Sequence, residues 1–417
     1  MRTYRLLLPL TLLPVACGSG SETDTFPRDA GSDLGLDVYA ETTPADVVDA
    51  AVEPLPDAHD SASESGGDAP TDAGEDGQED AAADVLLDAG PPPGCIQGDF
   101  QRFFGNLHAH TSYSDGAQLP QDAFAHARDV AGLDVMVVTD HLEQLYWPSP
   151  LGRWGKCGEQ ADAADAPGAF LALCGFEYGS GFQGITSTGH NNVFFSDQLF
   201  PAVQLDFHDF YQTLAGCTGC VGQFNHPGDE SGQTWLDFEF HPEVDARIQL
   251  FEFNGGGDVW NLYFAALDKG WHVSPVMNQD NHSADWGSKD DTRSGLWMSD
   301  LTRAGLRDTL ANRRTFMTRD RNATIRLMAD GVCWMGSVLT GVSSVEVVVE
   351  VADGDAGEGY STIELFGPGK QVLGTKDCQG AEACTLAQGV SGVAYVLARA
   401  TQVDGDELVS APVWVGP

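Results

Sequence analysis

Residues 103–116 read FFGNLHAHTSYSDG. The apolar start running into His108-Ala109-His110 predicts a strand over 103–108 whose end carries two imidazoles on one face, because alternate residues of an extended chain point the same way. Asp115 follows in the SYSDG turn. The arrangement returns along the chain. Predicted strands at 134–139 (DVMVVT), 170–176 (FLALCGF) and 220–225 (CVGQFN) run into Asp140-His141, Glu177 and His226-Pro227. The run 190–195 (HNNVFF) carries His190, 248–253 is IQLFEF, and 272–278 (HVSPVMN) leads to Asp280-Asn281-His282. Amphipathic stretches near 119–131, 205–215, 258–269 and 301–313 predict helices between them. Seven strands with interleaved helices predict an α/β fold with a barrel-like parallel sheet. In such folds the C-terminal strand ends share one rim, where ligands bind. His108, His110, Asp115, His141, Glu177, His190, His226, Asp280 and His282 are then expected to converge there.

A single H-x-H pair or strand-end histidine is more often a hydrogen-bonded core residue than a ligand. The combination changes that reading, since six of the ten histidines outside 18–94 lie at predicted strand ends. Buried together without compensation, so much imidazole and carboxylate is costly, and metal ions satisfy it directly. A polynuclear metal site follows, with ligands that suit zinc, manganese or iron. Clustered divalent ions lower the pKa of water and polarise the scissile-bond oxygen, so no serine or cysteine nucleophile is required. No Gly-rich phosphate loop and no G-x-S-x-G elbow occurs in the chain.

The motifs NLHAHTSYSDG, GLDVMVVTDH, GFE, NHP and the D-N-H at 280–282 resemble those of the PHP (polymerase and histidinol phosphatase) metallohydrolases. ANRRTF at 311–316 and the C-terminal segment ending in APVWV resemble the CehA/McbA-type branch. The resemblance implies a distorted (β/α)7 barrel and a trinuclear site. His108, His110, Glu177 and Asp280 would hold one metal, Glu177, His190 and His226 a second, and Asp115, His141 and His282 a third, with Glu177, Asp280 and His282 carrying catalysis. The implied activity is hydrolysis of a small phosphoester by metal-activated hydroxide, with carbamate or carboxyl-ester hydrolysis as the chemistry of the nearer branch. An amidohydrolase-type barrel also opens on H-x-H but bridges its metals with a carboxylated lysine. Lys156, Lys269 and Lys289 are the only lysines between 95 and 330, none at a predicted strand end. A non-catalytic binding protein is the third alternative, disfavoured because structural metal sites usually close with four ligands.

The remaining signals are weaker. Glu252 and Asn254 end the sixth strand and could either orient ligands or make framework hydrogen bonds. His126 and His272 are expected to be packing or surface residues, whereas His208 and His241 lie in connections near the rim. Trp147, Trp154, Trp235, Trp260 and Trp286 suit either an apolar pocket or a rim cover. The few cations there are Arg153, Lys156, Lys289 and Arg293.

Outside the barrel, MRTYRLLLPLTLLPVAC (1–17) places Arg2 and Arg5 before a short apolar run and small residues before Cys17. It resembles a bacterial lipoprotein signal, although Pro14 departs from the usual aliphatic position. The expectation is a lipid anchor at Cys17 and a location in the bacterial cell envelope. Residues 18–94 have the composition of a disordered acidic tether; residues 21–90 hold 20 acidic side chains and one arginine, Arg28. The barrel is assigned to 95–330 and a β-rich domain, a small antiparallel sandwich, to 331–417. Removing Cys17 leaves eight cysteines, an even number that suits disulfides, among them Cys157 with Cys174 and Cys378 with Cys384. The lone Cys217-x-x-Cys220 reads as a disulfide or two thiols rather than a metal knuckle. With 62 acidic against 21 basic residues and a net charge of −41, the chain lacks the Lys/Arg face that a nucleic-acid polymer needs. The expected partner is a small-molecule substrate.

Overall fold

The computed structural model describes residues 91–146, 152–179, 189–201, 207–228, 235–254 and 258–416. The signal, Cys17, residues 18–90 and Trp147 lie outside these. The first part of the chain builds β1 (Gln101–Asn106), α1 (Pro120–Asp129), β2 (Val135–Val138), α2 (Leu142–Leu145), α3 (Gly152–Ala164), β3 (Leu171–Cys174), β4 (Phe176–Gly179) and β5 (His190–Phe194). Then come α4 (Phe207–Gly216), β6 (Val221–Asn225), the left-handed turn α5 (Trp235–Phe238), α6 (Pro242–Asp245), β7 (Ile248–Glu252), α7 (Val259–Asp268) and β8 (Ser274–Val276).

β1, β2 and β3 run parallel. The chain bends after Cys174, and β4 leaves to start a second sheet of order β4-β5-β6-β7-β8. The bend requires Gly175, where a Cβ would lie 2.7 Å from the Val193 carbonyl oxygen. The two sheets are rejoined at one rim by two single parallel bridges, Ala109↔Asn281 and His141↔Glu177. The first holds the residue between His108 and His110 against the residue between Asp280 and His282. Every bridging segment therefore belongs to a predicted ligand motif.

The expected all-parallel sheet is corrected in one place: β5 is antiparallel to both β4 and β6. Only about ten residues join β4 to β5, fewer than a parallel crossover needs.

The first sheet also continues outward. β9 (Arg293–Met298) pairs antiparallel with β1, and after α8 (Arg303–Ala311), β10 (Thr315–Thr318) pairs with β9. The C-terminal strands are β11 (Thr324–Ala329), β12 (Cys333–Trp334), β13 (Val338–Thr340), β14 (Ser344–Ala352), β15 (Tyr360–Gly367), β16 (Gln371–Ala381), β17 (Ala383–Ser391), β18 (Tyr395–Gln402), β19 (Glu407–Ser410) and β20 (Val413–Gly416). β19 pairs with β10 and β18, so one sheet runs from the rim-bearing strands into the C-terminal region. A separate sheet, β12-β11-β14-β17, packs against it. β14 places Val345, Val347, Val349 and Val351 inward, opposite Ile363, Leu365, Val396 and Ala398. β11 pairs with β14, so this β-rich layer starts ahead of residue 331.

Residues just before Cys95 already take part in strand pairing. The carbonyls of Pro93 and Gly94 accept the amides of Thr340 (3.1 Å) and Val338 (3.3 Å), continuing the pairing next to β13. Cys95 is bonded to Cys333, alongside the pairs Cys157–Cys174, Cys217–Cys220 and Cys378–Cys384.

The Cys95–Cys333 bond closes 238 residues of sequence and restricts the unfolded chain most. Replacing both cysteines by alanine should lower stability in denaturant titrations by about 2–4 kcal/mol. Metal content should be unchanged, because neither residue approaches the rim.

Candidate metal centre

Glu177 begins as the second residue of β4 and is 1% exposed, with imidazoles on both of its oxygens. Oε1 lies 3.4 Å from His108 Nε2, 3.1 Å from His190 Nδ1 and 3.3 Å from His226 Nε2. Oε2 lies 3.3 Å from His110 Nε2 and 3.0 Å from His141 Nδ1. Asp280 Oδ1 sits 3.2 Å from His108 Nε2 and 3.1 Å from His110 Nε2. On the solvent side, Asp115 lies 3.5 Å from His141 Nε2 and 3.4 Å from His282 Nε2. All nine residues singled out in the sequence are thus brought together.

The hydrogen bonds behind the rings fix what each ring presents. His108 Nδ1 faces both oxygens of Glu252 at 3.2 Å, so its proton resides there and Nε2 offers a lone pair. The Ser114 hydroxyl donates to Asp140 at 2.5 Å and is left to accept from His110 Nδ1 at 3.2 Å, which bares His110 Nε2 as well. These two bare nitrogens are 3.2 Å apart and face Glu177 and Asp280. Asp280 Oδ1 is buried without a hydrogen-bond partner. Acceptors aimed at acceptors repel unless a cation lies between them. A tetrahedral shell with bonds of about 2.1 Å separates its ligand atoms by about 3.4 Å, the spacing found here. Four overlapping groups satisfy this closeness: His110/Asp115/His141/His282, His108/His226/Asp280, His108/His110/Glu177 and Glu177/His190/His226. The donor set fits divalent metal ions.

The electrostatics agree. Burial pushes the His108 imidazole down, but Asp280, Glu252 and Glu177 outweigh it and hold its pKa well above the ordinary value. His141 is also raised, burial being overcome by Glu177 and Asp115, and a hydrogen bond to Asp115 raises His282. Burial pushes Glu177 up, yet His190, His108 and His141 hold it well below the carboxylate range. Asp280 is lowered in the same way against burial, chiefly by His108 and His110. Asp115 is lowered by hydrogen bonds from His141 and His282. The pocket demands positive charge where the imidazole nitrogens meet the carboxylates.

Local backbone features hold this arrangement. Asp280 and His226 adopt φ of +46° and +33°, uncommon for residues with a Cβ. The turn after His110 folds back so closely that a Cβ on Gly116 would meet the His110 carbonyl carbon at 2.5 Å. Asp140 closes this turn by accepting from the Thr111 amide and hydroxyl, both at 2.7 Å. Glu252, left open between two roles in the sequence, performs both: besides His108 it accepts the His226 amide at 2.8 Å and the Asn278 side chain at 2.9 Å. Asn225 donates to Glu177 Oε1 at 2.9 Å. The sequence did not assign Asp140, Ser114 or Asn225, although T-D-H and N-H-P set two of them beside ligands.

Other candidates separate from the cluster. His126 bonds Ser288, His272 bonds Asp245, and His241 bonds Glu243 while stacking near His208. Trp235 and Trp286 are core residues, and the Trp286 indole donates to the His110 carbonyl at 3.0 Å. Trp154 packs on Phe176, and Trp260 on Phe253 and Phe366. The described tryptophans therefore brace the framework instead of lining an apolar pocket. Arg153, Lys289 and Arg293 are held by backbone carbonyls. The rim is most open at Asp115 and His282, whose side chains are 47% and 43% exposed.

No family model and no curated protein matches the chain. Among solved structures, it is similar to a two-domain protein from Bacteroides vulgatus described as containing a predicted PHP-like metal-dependent phosphoesterase, at 17% identity and TM-score 0.44 over 79% of this chain and 99% of that one. It is also similar to a lesion-specific endonuclease from Pyrococcus furiosus, at 14% identity and TM-score 0.36 over 63% of this chain and 62% of that one.

Two outcomes are expected. Glu252→Gln should weaken metal affinity about 10- to 100-fold in chelator competition, because it removes the charge behind His108 Nδ1. Because the raised pKa values of His108, His141 and His282 keep protons on them in metal-free protein, loading must displace those protons. Affinity should rise with pH through and above the ordinary imidazole range near 6.5. Calorimetry in buffers of different ionisation enthalpy should register net proton release at pH 7.

Proposed function

We propose that the chain is a metal-dependent hydrolase of a small phosphoester. His108, His110, Glu177 and Asp280 would hold one ion, Glu177, His190 and His226 a second, and Asp115, His141 and His282 a third, following the resemblance to PHP metallohydrolases. The observation that carries this reading is the convergence of five imidazoles on both oxygens of a buried carboxylate. Bound ions of this kind supply Lewis acidity and hydroxide at neutral pH.

The chain's own residues prepare the site. Glu252 and Ser114 fix which nitrogens of His108 and His110 face inward. Glu177 presents each oxygen to a different set of imidazoles, which suits a bridge. Substrate enters where Asp115 and His282 are exposed. Three divalent ions against the carboxylates of Asp115, Asp140, Glu177, Glu252 and Asp280 would leave only a slight positive surplus, which still favours an anionic phosphoester over a neutral ester. Arg153, Lys289 and Arg293 are engaged by backbone carbonyls and so are less available for this role. The CehA/McbA-type resemblance rests partly on residues 311–316, where Arg313 and Arg314 bond the carbonyls of Gly336 and Trp297. These are framework contacts and say nothing of ester chemistry. Export with a lipid anchor at Cys17 and a tether would set the enzyme on the bacterial cell envelope.

The test is elemental analysis of purified protein followed by assay on an aryl phosphate and an aryl carboxyl ester. Phosphate turnover should dominate, be abolished by chelation and return with zinc, manganese or iron. Glu177→Gln should lose metal and fall below about a hundredth of the wild-type rate, beyond the effect of changing a ligand's hydrogen-bond partner. Full activity in metal-free protein, or faster turnover of the carboxyl ester, would refute the assignment.

A further inference from the structure

Far along the chain from the rim motifs, three carboxylates meet without a basic partner. Asp320 lies between β10 and β11, and Asp353 and Glu358 lie between β14 and β15. One oxygen from each falls within 4.8 Å of the others. Asp320 is only 5% exposed and its Oδ1 accepts the amides of Asn322 (2.6 Å) and Ala323 (2.7 Å), which lock the carboxylate in place. Among the described residues no lysine or arginine pairs with these three groups, and nearby Arg321 is engaged by Asp291.

A buried amide stands in the same cluster. Gln402, at the end of β18, is 2% exposed. Its Nε2 bonds Asp353 Oδ2 at 2.5 Å and the Glu358 carbonyl at 3.1 Å, while its Oε1 is buried with no hydrogen-bond partner. The amide whose Nε2 reaches the cluster thus carries a buried carbonyl oxygen with no donor, while the carboxylates have no cation. Like charge also marks the site: a hydrogen bond with Asp320 raises the Glu358 carboxyl, and burial followed by Asp320 raises Asp353. Two carboxylates in contact need a shared proton or a cation.

We infer that Asp320, Asp353, Glu358 and the Gln402 side-chain oxygen form a calcium site distinct from the hydrolytic cluster. The ligands are all oxygen, with neither imidazole nor thiolate, which selects a hard cation over the metals suited to the rim. They come from three separate loops or strand ends, an irregular set that the flexible coordination of calcium tolerates better than the strict octahedron of magnesium. The site would staple the exit of β10 to both sheets of the C-terminal region, acting on stability rather than on chemistry.

The experiment uses the whole protein, disulfides intact and hydrolytic metals loaded, freed of calcium by dialysis. Calorimetry should detect one calcium ion per chain with a Kd of about 10⁻⁴–10⁻³ M. Melting temperature should rise by about 3–6 °C at 10 mM calcium, of the order expected from mass action, and less at equal magnesium. Asp353→Asn and Glu358→Gln should abolish the rise while leaving the content of the hydrolytic metals unchanged. Absence of calcium binding in the wild type overturns the proposal whether or not the variants fold. So does a thermal shift that persists in both variants, or an equal response to magnesium.

Discussion

A carboxylate buried at 1% exposure and ringed by five imidazoles is the constraint that the rest of this structure serves. An ionised group in that position costs several kcal/mol unless it is paired and hydrogen-bonded. The strand interiors answer with amides where apolar residues would ordinarily stand. Asn106, Asn192, Gln223, Asn225, Asn278 and Asn281 are all buried, and they bond one another, Glu177 and Glu252. A half-satisfied network of this kind is worse than an apolar core. One of the bridges that join the two sheets, His141↔Glu177, involves the same two residues whose side chains meet at the rim, 3.0 Å apart.

The C-terminal region is part of this device. β1, which delivers His108 and His110, pairs with β2 on one edge and β9 on the other. Through β10 and β19 the same sheet reaches the sandwich. A strand held on both edges cannot slip by one residue, and such a slip would turn both imidazoles to the opposite face. The sandwich thus fixes the register of the strand that matters most to the rim.

Most of the nine rim residues were legible because two independent signals coincide: an apolar run ends, and the next residues are histidine or acid; His190 instead opens its strand and Asp115 lies in a turn. The strands at 134–139, 190–195, 220–225 and 248–253 accordingly match β2, β5, β6 and β7 within a residue or so at each end. The direction of β5 was not legible, since a short apolar run reads the same whichever way its neighbours point. α3 was missed because GRWGKCGEQADAA carries three glycines and buries only Cys157 and Ala161, too little for a helical stripe. β16 and β17 were missed for a similar reason, as most of their residues face solvent. Trp235 and Trp286 misled, because a tryptophan in a loop can as well turn inward. Asp140 and Glu252 were visible as residues, but the work of Glu252 depends on the ring nitrogen it reaches and that of Asp140 on Ser114, and sequence order encodes neither.

The balance of charge has a further consequence for what can be bound. The chain carries a net charge of −41, yet at the proposed site three divalent ions would outweigh the carboxylates around them. At physiological ionic strength the repulsion from distant acidic groups is screened beyond about 8 Å. A small phosphoester would fit within that radius of the proposed cluster and experience mainly the ions. A polyanion would extend past it toward a chain that, from residue 91 onward, still holds 42 acidic against 18 basic residues, and each added phosphate would gain less than the first. On the proposed reading, the same charge balance would favour one phosphoryl group over a polymer of them, without any loop having to exclude the larger molecule.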